Sequence, residues 1–183
     1  VPFKVLDGTL KGTDLVGINY EQLIPWFNPG EGAFRVIPGD YVTTEDGTGI
    51  VHIAPTFGAD DAKVARLAGV PGLQVVDRNG DLQAQVDLRG RFFCVEDLDP
   101  EYAAANMSPD YAEWAGRYVK NAYDATLAED APTLDVDICV MLKQQNKAFR
   151  IEKHTHNYPH CWRTDKPVLY YPLNSWFIKT TAV

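Results

Sequence analysis

Long apolar runs, paired cysteines and an excess of positive charge are all missing from this chain of 183 residues. No stretch approaches the roughly 18 uninterrupted apolar residues that a membrane-spanning helix needs. The opening Val1-Pro2-Phe3-Lys4 also lacks the basic-then-apolar layout of a signal peptide. A soluble, cytoplasmic protein with no membrane partner is the expectation. Cys94, Cys139 and Cys161 are odd in number and widely spaced, which argues against a disulfide framework and fits a reducing compartment. A net charge of −8 argues against gripping nucleic acid by bulk electrostatics, because phosphate binding draws on Lys and Arg. Internal repeats and low-complexity linkers are absent too.

What is present is enough apolar material, 45% of residues, for one sizeable core, so residues 1–183 are expected to form a single domain. The first half reads as short strands between turns. Phe34–Ile37 is closed by Pro38-Gly39-Asp40, Tyr41–Thr44 is β-prone, and Asp46-Gly47 is a hairpin-type turn into Gly49–Ala54. Leu73–Val76 and Leu82–Val86 flank a second turn, Asp77-Arg78-Asn79-Gly80. A helix should begin at Asp60-Asp61, where acids offset the positive end of the dipole, and end at Gly69 before Pro71. Apolar spacing predicts helices over 110–128 and 135–147, with Tyr111, Tyr118 and Tyr123 as packing or base-stacking rings. Ala148–Lys153 and Pro167–Leu173 return to strand character. Many short strands point to a barrel or a strongly curled sheet, and the class is α+β, mainly β.

Charge is unevenly spread. Residues 143–166 hold Lys143, Lys147, Arg150, Lys153, Arg163 and Lys166 against Glu152 and Asp165, a local +4 on an acidic chain. Such a run suits either a solvated surface or a face that meets phosphates. The densest chemistry lies between Gly47 and Asp61. Glycines flank Thr48, His52 follows a β-branched pair, and an acid pair stands where strand meets helix. Glycine lets a backbone approach a ligand, and a carboxylate at a helix start can pair with an ammonium group in the adjoining cleft. Taken singly, each of these residues is equally at home in an ordinary turn or helix cap.

The whole string from Asp46 to Asp61, DGTGIVHIAPTFGADD, resembles the core motif of editing domains in the class I synthetases for isoleucine, valine and leucine. Histidine at position 52 resembles the isoleucine enzymes, with a valine or leucine editing domain as the alternative. Leu10–Gly17 with Tyr20 and Glu21, and Asn157–Arg163 with Ser175–Ile178, resemble the flanking segments of that family. Residues 100–147 match least and look like a helical insertion.

The resemblance implies a curled β-barrel decorated by helices, and hydrolysis of valyl-tRNA(Ile) by a positioned water. Selection by size alone is weak, since one methylene is worth about 1–3 kcal/mol, the choice of isoleucine over valine being the standard illustration. It assigns Asp61 to the substrate ammonium and His52 to exclusion of the cognate isoleucyl group, with Thr48, Gly49, Phe57, Asp60 and Tyr158 around the substrate. No cofactor is implied for editing; ATP and Mg2+ belong to the synthetic domain of such enzymes, whose signatures this chain lacks. The implied partners are tRNA(Ile) carrying valine and the remainder of a synthetase. Family members also carry a threonine-rich strand upstream of the segment matching Val1. Nothing here resembles it, Thr180-Thr181 included, so a partial editing domain is expected, with a catalytically incomplete tRNA-contacting piece as the alternative. His154, His156, His160 and Cys161 offer zinc ligands, but Thr164 stands where some relatives have a second cysteine, and no metal is expected.

Overall fold

A side-chain cap starts one helix of this chain and a left-handed glycine ends another. A computed structural model describes residues 2–45, 48–128, 130–153, 155–176 and 178–181. Along it run α1 (Gly12–Leu15), α2 (Ala59–Ala68), β1 (Gln74–Val76), β2 (Leu82–Ala84), α3 (Pro100–Asn106) and α4 (Leu134–Gln144), with single 3-10 turns at Val95–Asp97, Pro109–Glu113 and Asn121–Tyr123. Helix α2 has Asp60 and Asp61 in its first turn. It ends at Gly69, whose left-handed φ of 65° turns its N–H back to the carbonyls of Ala65 and Arg66. Helix α4 begins one residue before the expected span of 135–147 and ends three before its end, and it carries Asp135 and Asp137 early and Lys143 late, as the dipole favours. Helix α3 is capped by the Asp99 carboxylate, which accepts from Tyr102 N at 2.7 Å, with Pro100 at the first helical position.

The single helix expected over 110–128 is replaced by two 3-10 turns. Gly116, at φ 75°, reverses the backbone after Trp114, and the apolar spacing instead serves the core.

β1 and β2 pair antiparallel with Val75 opposite Gln83. The expected turn at Asp77 joins them. Asp77 Oδ1 accepts from Asn79 N (2.8 Å) and Asp81 N (3.0 Å), and Oδ2 from Gln83 Nε2 (2.9 Å). The other expected strands fare differently. Phe34–Ile37 forms a short ribbon with residues 17–20, bridged at Asn19 and Arg35. Among the described residues, Pro167–Leu173 pairs only at its start, opposite His160, and Tyr41–Thr44, Gly49–Ala54 and Ala148–Lys153 show no strand pairing. The Asp46-Gly47 turn lies outside the described residues.

The class is therefore α+β, but the sheet among the described residues has two strands and does not close, in place of the mainly-β barrel expected. β-propensity marks segments that suit a pleated, half-buried surface; it supplies no partner. With Ile50 62% and Val51 54% exposed, the run 49–54 has a strand's sequence and no pairing partner among the described residues. No helix among the described residues is long and apolar enough to cross a membrane.

The core is aromatic. Trp26 packs on Trp114 (5.1 Å between ring centroids) and Phe92 (5.4 Å), and Phe27 meets Tyr111 edge-on at 4.5 Å. Val75, Val86 and Leu98 fill in from the β1–β2 side, and Ala103, Tyr111, Trp114 and Leu134 come from residues 100–147. The segment that looks like an insertion in the sequence thus supplies a large part of what is buried. Tyr111 and Tyr123 are packing residues, Tyr111 fully buried and Tyr123 donating to Pro167 O at 2.7 Å.

Candidate functional site

Thr48 to Asp61 runs as a local turn, an extended stretch, a second turn and the start of α2. Thr48 Oγ1 donates to Ile50 O (3.2 Å) and accepts from Ile50 N (3.4 Å), holding the first turn. Gly49 has φ 77°, a left-handed conformation that favours glycine, and a side chain there would press on Thr44 Cγ2 at 3.1 Å. His52 is exposed on the extended stretch. The second turn closes where Phe57 N and Gly58 N both donate to Ala54 O, at 2.9 and 3.1 Å.

Asp61 ties these pieces together. Its Oδ2 accepts from Ala54 N at 2.8 Å, joining the end of the extended stretch to the first turn of α2. Oδ1 makes no hydrogen bond among the described residues. The carboxylate reaches Ala54 by folding across Gly58, where an added Cβ would lie 2.8 Å from Oδ2 and 2.9 Å from Cγ. Gly58 is thus a positioning residue, legible in the sequence as a glycine immediately before a helix whose third residue is an acid. Asp60, beside it, is exposed.

Two clefts flank α2. One of about 280 Å³ lies between Pro55, Thr56, Ala62, Arg66, Gly72 and Gln74; the other, about 680 Å³, lies between Val64 and Leu67 and the ribbon residues Arg35 and Ile37, with Tyr41 at its edge. Ala62, next to Asp61 in sequence, lines the smaller one, while neither lining includes His52 or Asp61. Arg35 donates to Ala68 O, a cation on the last carbonyls of α2 where the dipole favours it. Thr56, which lines the smaller cleft, donates through Oγ1 to Leu73 O at 2.7 Å.

The remaining expected site residues stand elsewhere. Phe57 packs against the core and edge-on to Tyr171, with centroids 6.2 Å apart. Tyr158 lies under Lys120 Nζ, 4.7 Å from its ring centroid, with His156 and His160 edge-on. Among the described residues no three His, Cys, Asp or Glu side chains gather as a metal site; His154 lies outside them. The Cys161 thiol is held below its ordinary range by hydrogen bonds from the Thr164 side chain and from the amides of Arg163 and Thr164.

No protein-family profile matches the chain. It is 66% identical over all 183 residues to the isoleucine–tRNA ligase of Bacteroides fragilis (strain YCH46), and equally to that of Porphyromonas gingivalis, covering 16% of each. The isoleucine–tRNA ligase of Thermoplasma volcanium is 39% identical over 181 residues, 99% of this chain and 14% of that protein. The chain thus spans about a sixth of the length of the relatives it matches, and the first two alignments run through residues 100–147. Similarity of this strength from end to end makes the chain a homologue of one segment of the isoleucine–tRNA ligases.

Proposed function

We propose that this segment is the editing unit of an isoleucine–tRNA ligase and hydrolyses the ester of valyl-tRNA(Ile). The observation that carries the reading is Asp61: one carboxylate oxygen is held by the Ala54 amide, and the other is uncommitted at the start of α2. That is a suitable anchor for a substrate ammonium, fixed before the ligand arrives. His52 sits on the stretch leading to it and would exclude the larger cognate side chain. Thr48 and Gly49 would border the same side, with Asp60, Phe57 and Tyr158 further out. A water positioned against the ester carbonyl would be the nucleophile, with backbone donors receiving the developing oxyanion.

The unpaired run 49–54 supports a further part of the proposal, that a strand from elsewhere in the enzyme pairs there, closes the barrel and furnishes the opposite pocket wall. Partners are then tRNA(Ile) carrying valine and the rest of the ligase, working in the cytoplasm. ATP and Mg2+ serve the synthetic unit.

The test uses the full-length ligase that carries this segment and purified valyl-tRNA(Ile). Asp61→Ala should slow deacylation by roughly a hundredfold or more, and undiminished hydrolysis sinks the assignment. His52→Ala should let isoleucyl-tRNA(Ile) be attacked as well; intact discrimination leaves His52 no part in selection. The exposure of Lys143, Lys147, Arg150, Lys153, Arg163 and Lys166 favours a second reading, a tRNA-contacting piece without chemistry of its own. Salt-dependent tRNA binding with no valyl-tRNA hydrolysis would select it.

A further inference from the structure

Pro159–Val168 is a hairpin. His160 pairs with Pro167, Val168 N donates to Pro159 O (3.0 Å), Cys161 N to Lys166 O (2.8 Å) and Asp165 N to Cys161 O (2.8 Å). Its base is tied to the body by the Tyr123 hydroxyl on Pro167 O and by Lys120 over Tyr158. Its tip carries Trp162, 85% exposed, with the Arg163 guanidinium 4.6 Å from the ring centroid.

The chain contains the same pairing in another setting. Arg117 lies 5.0 Å over Trp114, but that indole is 7% exposed and belongs to the core. At the hairpin tip the indole is held outward by a closed turn, its stacked cation already in place, and buries almost nothing. An apolar ring of that size left in water is unfavourable, and aromatic rings stacked with Arg beside further cations are what unpaired bases bind.

We infer that the Trp162–Arg163 tip is a stacking platform for an unpaired RNA base, with Arg163 and Lys166 meeting the adjoining phosphates. The hairpin's own charge favours RNA over an apolar protein surface: Arg163 and Lys166 stand against Asp165, and Lys120 sits at its base over Tyr158. The inference rests on the proposed function only for which RNA is bound, namely the tRNA; the chemistry of the platform stands apart from Asp61.

The test measures binding of uncharged tRNA(Ile) to the full-length ligase over a range of salt. Trp162→Ala should raise Kd by about fivefold to a hundredfold, while Trp162→Phe, which keeps a ring, should stay within a few-fold of the parent. Arg163→Gln should lower the slope of log Kd against log salt by about one. An unchanged Kd in Trp162→Ala overturns the inference, and if its melting temperature falls at the same time, the indole docks against the rest of the enzyme. Should the alanine variant not fold, an unchanged salt slope in Arg163→Gln overturns it equally. Because the readout is binding of uncharged tRNA, an enzyme that loses affinity with Trp162 yet never hydrolyses valyl-tRNA refutes editing and leaves the platform standing. The converse pair of results does the reverse.

Discussion

At the scale of single residues, Asp61 has two duties that substitution can separate. An asparagine side chain would still offer Ala54 N an oxygen, whereas an alanine would leave that amide without its partner. Asp61→Asn should therefore preserve slow hydrogen exchange at the Ala54 amide while abolishing deacylation, since it lacks the charge an ammonium needs. Asp61→Ala should lose both, the hydrogen bond being worth about 1–3 kcal/mol. Equal exchange at Ala54 in the two variants would show that the bond does not organise the site. Gly58→Ala tests positioning from the other side. Its methyl would sit 2.8 Å from Oδ2 and push the carboxylate off Ala54. We expect a ten- to hundredfold fall in kcat, as for a displacement of about an ångström, with KM for tRNA little changed. The glycines, the acid pair and His52 were all visible as a motif in the sequence. The crossing of Asp61 over Gly58 was not, because it depends on how two turns stack.

At the scale of elements, local chemistry was the most legible. The turn after β1 is organised by one carboxylate. Burial pushes Asp77 up, but the amides of Asp81 and Asn79 and the Gln83 side chain together hold it below its ordinary 3.8. A carboxyl depressed in the folded state stabilises above its unfolded value, and that contribution is lost as pH falls through the folded one. Asp77→Ala should thus cost about 1–3 kcal/mol near neutrality, and the gap from the parent should narrow below about pH 4. Thermal midpoints across that range check it; a gap that widens on acidification would contradict the sign. The end of α2 at Gly69 was equally plain. Helix α3, capped by Asp99 with Pro100 as its first helical residue, was not expected, because its Ala-rich stretch is too short to show a periodic apolar face.

At the scale of the whole molecule, the core joins distant parts of the chain. Tyr111 is at its centre, 0% exposed, with its hydroxyl donating to Phe93 O at 2.6 Å and its phenol pushed well above the ordinary range by burial. Tyr111→Phe should cost about 1–2 kcal/mol by leaving that carbonyl without a partner. Tyr111→Ala should cost about 3–5 kcal/mol and speed amide exchange at Val75 and Val76 as well as at residues 109–113. If exchange rises only at 109–113, residues 100–147 form an appendage after all.

The sequence by itself determined what short-range chemistry controls: the Gly69 end of α2, the Asp77 turn and the glycine-flanked motif at 48–61. Only the tertiary structure decided which extended runs find partners, that Asp61 is bound to Ala54, and that Ala103, Tyr111, Trp114 and Leu134 enter the core. The physical reason is that pairing and burial are relations between segments far apart in the chain. Val75 opposite Gln83 lies within one turn's reach, whereas Trp26 against Trp114 requires the whole intervening chain to fold back first. An isolated run such as Ile50–Ile53 can carry every mark of a strand and still wait for a neighbour.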